Sequence, residues 1–201
     1  VLSSKFAGHE GDVALTLAEH KERAGEPTQA ARYLLLGAGR ARRDGSWSEA
    51  RALLERAERL IGTSESVGYE KMRAQIWLEL ASVEIRLGRL ERAQNLGARV
   101  YRWASERDEA LSGRSLLVLG DSLRRMKRTA DAMRAYEKGV ECFAQLKDSH
   151  GVARCLLGQA IAARDEGRFT IALSTAQQAR PAFESAGDER ALAQLERCVG
   201  D

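Results

Sequence analysis

Three groups of residues in this chain have the types that do chemistry, and their spacing decides what each can do. Asp148, Ser149 and His150 are consecutive and supply the carboxylate, hydroxyl and imidazole of a nucleophilic relay. They fall between two helical stretches, where Asp148 or Ser149 is better suited to capping the next helix through its side-chain oxygen. His9, His20 and His150 lie far apart, and none has a second ligand at the i, i+4 spacing of a zinc site. His9-Glu10 is not followed by another histidine at the right distance. Gly37-Ala38-Gly39 lacks the preceding strand and the Lys-Ser/Thr pair of a phosphate loop; its small residues suit a close helix crossing. No catalytic residue, metal or other cofactor is therefore expected.

Cys142, Cys155 and Cys198 are odd in number, form no CxxC pair and sit among apolar residues. They read as buried small hydrophobes, in a reducing and hence cytoplasmic setting. The start Val-Leu-Ser-Ser, without methionine, reads as that of a piece of a longer polypeptide.

Charge remains as a source of function. The 201 residues carry 32 basic and 29 acidic side chains, a net charge of +3, with 44% hydrophobic residues. That balance describes a packed protein with a mixed surface, not the basic footprint of a duplex binder. Aromatic residues make up 5%, too few for the stacking platforms that grip single strands, so nucleic acid is not an expected partner. No stretch approaches the roughly 18 apolar residues of a membrane span. The basic residues are 26 arginines and 6 lysines. Either a GC-rich genome set that ratio, or arginine was kept for its planar fork, which pairs with carboxylate or phosphate through two parallel bonds.

The elements that would position these arginines repeat. Gly45-Ser-Trp47-Ser-Glu-Ala50, Gly88-Arg-Leu90-Glu-Arg-Ala93, Lys127-Arg-Thr129-Ala-Asp-Ala132 and Gly167-Arg-Phe169-Thr-Ile-Ala172 share one turn-and-helix phrase. Their alanines are 43, 39 and 40 residues apart. Gly25-Glu-Pro27-Thr-Gln-Ala30 is a weaker copy, with Pro27 suited to a first helical turn. Twelve residues before each main alanine stand Ala38, Ala81, Gly120 and Ala160, small enough for two helices to cross closely. Four further back lie the space-filling Leu34, Trp77, Leu116 and Leu156, and seven residues after each alanine lie Ala57, Val100, Gly139 and Ala179. Helical periodicity predicts ten antiparallel helices, near 11–24, 27–44, 47–62, 67–87, 90–107, 110–127, 129–147, 149–166, 169–186 and 188–199, and no strand. A single domain over 1–201 is expected. Pro181 falls inside the ninth helix and predicts a bend or break there, with Phe183 folding onto the segment containing Leu192 and Leu195.

The phrase Gly-x-Φ-x-x-Ala resembles that of the tetratricopeptide-repeat family, whose unit is a helical hairpin stacked into a right-handed superhelical solenoid. The units here are near 40 residues rather than 34. Leu17-Ala18-Glu19-His20, Ala24-Gly25-Glu26-Pro27 and Ala30-Ala31-Arg32-Tyr33 look like the opening of the helical-repeat region of large bacterial signalling proteins that carry a STAND-type ATPase. The resemblance implies a non-catalytic interaction or regulatory module that binds a peptide, a partner protein or another domain of its own parent. A sensor for a small anionic effector, controlling an adjacent ATPase or kinase, is the alternative it leaves open.

The resemblance also places positions two, five, nine, twelve and thirteen of each unit on a concave groove. These are Arg32, Leu35, Gly39, Arg42 and Arg43; then Gln75, Leu78, Ser82, Ile85 and Arg86. The third unit presents Arg114, Leu117, Asp121, Arg124 and Arg125, and the fourth Arg154, Leu157, Ile161, Arg164 and Asp165. Nine of these twenty are arginine and two are acidic, which predicts a basic groove with an apolar floor for an acidic protein or peptide. Last-turn arginines also favour the negative end of the helix dipole without any ligand, by about 0.3–1 kcal/mol. Arg32, Arg114 and Arg154, early in their helices, have no such account. The chaperone-binding carboxylate clamp of the family is not matched.

Overall fold

Most of the described helices end where the backbone turns left-handed. Gly25, Gly45, Gly88, Gly167 and Gly187 have φ between 63° and 78°. Lys127 (φ 61°) and Lys147 (φ 56°) take the same conformation without glycine's freedom from a Cβ clash. The carbonyls left over are satisfied by paired bonds: Ser46 N donates to Ala41 O at 2.8 Å and Gly45 N to Arg42 O at 3.3 Å. Arg128 N to Leu123 O and Lys127 N to Arg124 O repeat the pattern at 2.9 Å each. This is the Schellman closure, which stops one helix and aims the next. Asp108, Asp148 and Asp188 then cap the following helices, accepting from Leu111, Gly151 and Ala191 amides at 2.8–3.0 Å. The Asp148-Ser149-His150 coincidence is thus a helix start.

The computed structural model describes residues 13–62 and 69–200. His9 and Glu10 lie outside the described residues. Among those described there are ten helices and no strand: α1 (Ala14–Arg23), α2 (Pro27–Arg43), α3 (Trp47–Ile61), α4 (Tyr69–Arg86), α5 (Leu90–Ala104), α6 (Glu109–Arg125), α7 (Thr129–Gln145), α8 (Ser149–Asp165), α9 (Phe169–Ala186) and α10 (Glu189–Val199). They form two compact units, residues 1–96 and 97–201.

In the first unit α2 and α3 make a hairpin, with α1 packed on α2 and α4 on α3. Ala30, Ala50 and Ala93 have no exposed surface, and Leu34, Leu54 and Ala57 are equally buried beside them. Gly37 lies against α1 and α3, where an added Cβ would meet Leu53 at 3.4 Å and Ala14 at 3.7 Å.

In the second unit α6 pairs with α7 and α8 with α9, while α7 packs on α8 and α10 on α9. Ala132 and Ala172 are buried as predicted. Two aromatic pegs from α7 fill notches on the helices flanking it. A Cβ on either Gly120 (α6) or Gly158 (α8) would lie 2.4 Å from the Tyr136 ring, and one on Gly151 would lie 2.4 Å from Phe143. Gly113 holds the other side of Phe143, at 3.1 Å.

Several expectations change. Trp77 and Leu156 are half-buried rather than enclosed, and Trp77 Nε1 donates to Glu58 at 2.6 Å. Cys155 and Cys198 are buried, whereas Cys142 is half-buried. The helix does not break at Pro181: α9 is continuous from Phe169 to Ala186. Phe183 nevertheless packs on Leu192 and Leu195, because α9 ends at Gly187 and α10 returns antiparallel beside it. The turn, not the proline, brings the final segment back.

Candidate partner-binding face

The first helix of each hairpin carries the arginines singled out by repeat position. Four of the last-turn arginines, Arg42, Arg86, Arg124 and Arg164, have identified partners within the protein. In the first unit Arg42 of α2 pairs with Glu79 of α4. Arg86, at the end of α4, lies over the Trp47 ring at 4.9 Å, a distance at which the ring face attracts a cation. In the second unit Arg124 Nη1 lies 3.2 Å from Asp165 Oδ2, and Arg164 Nη2 lies 2.9 Å from Asp165 Oδ1. Arg164 Nη1 also donates to the carbonyl of Arg197 at 3.1 Å.

Asp121 joins this network through the Tyr136 hydroxyl, which donates to it at 2.7 Å. Burial, then the Asp121 charge, push the Tyr136 pKa well above its usual value. Burial would raise that of Asp165, but the guanidinia of Arg164 and Arg124 outweigh it and hold Asp165 below the usual aspartate range. Asp121, Arg124 and Arg164 are thus brought together, as one internal charge ladder across the ends of α6 and α8.

The other five retain exposed surface, and Arg114 and Arg125 have interactions of their own within the protein. Arg32 and Arg43 on α2, Arg114 and Arg125 on α6 and Arg154 on α8 are exposed. Leu117 and Leu157, the expected floor, retain only 7% and 6% of their surface, so the floor offers a narrow apolar strip.

A cluster that repeat position did not reveal lies in the first unit. Glu84 of α4 is wholly buried, with Arg92 Nη1 at 3.0 Å, Arg51 Nε at 3.2 Å and Arg89 Nη1 at 3.9 Å. Glu55 shares Arg51 and Arg92 at 2.9 Å each. Burial raises the Glu55 pKa, and the hydrogen bond from Arg92 with the Arg51 charge more than reverses this, leaving it low. The available signal was a lone acid in the apolar run Leu80-Ala81-Ser82-Val83-Glu84-Ile85. No group of three or more His, Cys, Asp or Glu side chains suited to a metal occurs among the described residues.

Residues 72–145 match the family model described as tetratricopeptide repeat, and the helical hairpins extend the same architecture on both sides. Over those residues the chain is similar to tetratricopeptide repeats. No curated protein matches it. BtubC (BKLC) from P. vanneervenii is similar at 15% identity and TM-score 0.70, over 95% of this repeat chain and 89% of that one. The apo form of RapI is similar at 15% identity and TM-score 0.71, covering 92% of this chain and 74% of that one. The Rap conjugation gene regulator of plasmid pLS20, solved in complex with the Phr* peptide, is similar at 13% identity and TM-score 0.76; the match covers 89% of this chain and 50% of that one. These likenesses establish the repeat fold.

Proposed function

We propose that this chain is a non-catalytic interaction module that binds an acidic peptide, or an acidic segment of a partner protein, on the exposed faces of its first helices. One observation carries the reading: Arg32, Arg114 and Arg154 recur at one position of their units, early in their helices, and are exposed. The dipole explains cations at helix ends and gives no reason for cations in the first half. A fold-level neighbour solved with a peptide supports a peptide as the kind of partner. The STAND-like opening and the three free thiols favour a regulatory segment of a bacterial, cytoplasmic signalling protein, with the acidic segment belonging to a partner or to another part of the same polypeptide.

Fluorescence anisotropy with labelled acidic peptides tests this reading. Charge reversal at Arg154 should weaken binding on the order of tenfold or more, the size of one charge-assisted contact, and reversal at exposed Arg59 should not. Equal loss from both variants, or no acidic peptide bound at all, overturns it.

A further inference from the structure

One helix face in the second unit differs from the same face elsewhere in the chain. α9 runs from Phe169 to Ala179 without a charged side chain, although 30% of all residues are charged. The turn-and-helix phrase puts Ile171 where α3, α5 and α7 have Glu49, Arg92 and Asp131. Seven residues further along, Gln178 stands where they have Arg56, Arg99 and Lys138. At both positions α9 alone lacks the charge.

Ala172, Ala176, Ala179 and Phe183 turn one side of α9 to the core. At 3.6 residues per turn, Thr170 and Ser174 then form the outward crest, with Ile171 and Leu173 on its two flanks. Phe169, Ile171 and Leu173 keep 68%, 47% and 45% of their surface. Single exposed hydrophobic residues are ordinary, but three within five residues of one helix make a patch. Ser174 Oγ donates to the Ile171 carbonyl at 3.1 Å, so its side chain lies back on its own helix and keeps the crest low. The charges bordering the stretch are paired: Arg168 with Glu166 at 2.5 Å, and Arg180 with Glu184 and Glu196 at 3.9 Å each. An uncharged centre inside a polar rim is the make-up of a protein interface.

The chemistry of the face selects its occupant. A charged group at a two-fold axis would meet its own copy and repel it. The hydroxyls of Thr170 and Ser174 and the amides of Gln177 and Gln178 both donate and accept, so each can pair with itself, as apolar side chains can. The face is therefore complementary to a second copy of this chain. We propose that α9 is a self-association face, on which two copies pair about a two-fold axis. The two α9 helices cross at Thr170 and Ser174, and Ile171 and Leu173 of each copy pack on the flanks of the other.

Sedimentation velocity of the full chain tests this. One helix face is small beside the interfaces of stable dimers, so the parent should pass from monomer to dimer across the micromolar range. Ile171→Glu should weaken the dimer by about tenfold or more, because like charges would meet across the axis. Glutamate holds this position in α3, and an unchanged circular dichroism spectrum would show that the variant folds. Leu36→Glu, at an exposed site on α2, should leave dimerisation as it is. Under mild oxidation Ser174→Cys should give disulfide-linked dimers, and the parent, whose cysteines are buried or half-buried, should not. A parent that stays monomeric, leaving the face to a different protein, overturns the proposal. So does association that Ile171→Glu leaves intact, or growth beyond two copies.

Discussion

Tyr136 shows how tightly single residues are specified in the second unit. Its ring fills the space a Cβ would need on both Gly120 and Gly158, and an aromatic ring in a packed core cannot turn aside as a flexible side chain would. Gly120→Ala and Gly158→Ala should each destabilise the protein by about 1–3 kcal/mol through overpacking, although alanine is the better helix former. Urea denaturation would show it, and a variant as stable as the parent would contradict the wedge. The lysines in left-handed turns predict the opposite sign. Lys127→Gly and Lys147→Gly remove a Cβ clash and should raise stability by up to about 1 kcal/mol, whereas Gly88→Lys should lower it. Gly120 was readable as a small crossing residue. Tyr136 as its partner was not, because the two meet only after α6 and α7 have packed.

At the scale of elements, the helices follow from local signals. The left-handed turns, the aspartate caps and the anchoring alanines are all written in short stretches of sequence, and the boundaries expected within the described residues lie within about three residues of those found. Partnerships between elements were not legible in the same way. Arg42–Glu79 and Arg124–Asp165 join residues 37 and 41 apart in sequence, and each depends on how neighbouring first helices align. For that reason the sequence marked the arginines as a group without showing which of them pair with Glu79 and Asp165.

The engaged carboxylates predict a pH response. The pKa values of Glu55, Asp165 and Asp188 are lowered in the folded protein. The stability they contribute is complete above the ordinary carboxylate range, about 3.9–4.3, and is lost as pH falls through their lowered values. Acid unfolding should therefore steepen below about pH 4, and Asp165→Asn should flatten that limb while lowering stability at pH 7. An unchanged acid limb would show that the ladder contributes nothing. In α9, Pro181→Ala restores a donor to the Gln177 carbonyl inside a continuous helix and should stabilise by about 1–3 kcal/mol. A loss of stability would mean that the proline shapes the packing of Phe183 after all.

For the whole molecule, the ion pairs of Arg42 with Glu79, Arg124 with Asp165 and Arg92 with Glu84 hold helices together. Removing one member of a half-buried pair strands its partner. Thermal unfolding with and without an acidic peptide tests the proposed binding, since a ligand that binds only the folded state raises its Tm. The account predicts that Arg154→Gln loses most of the peptide-induced rise. Arg124→Gln should lower the Tm without peptide and keep the rise. An Arg154→Gln variant still stabilised by the peptide as much as the parent would contradict the central claim.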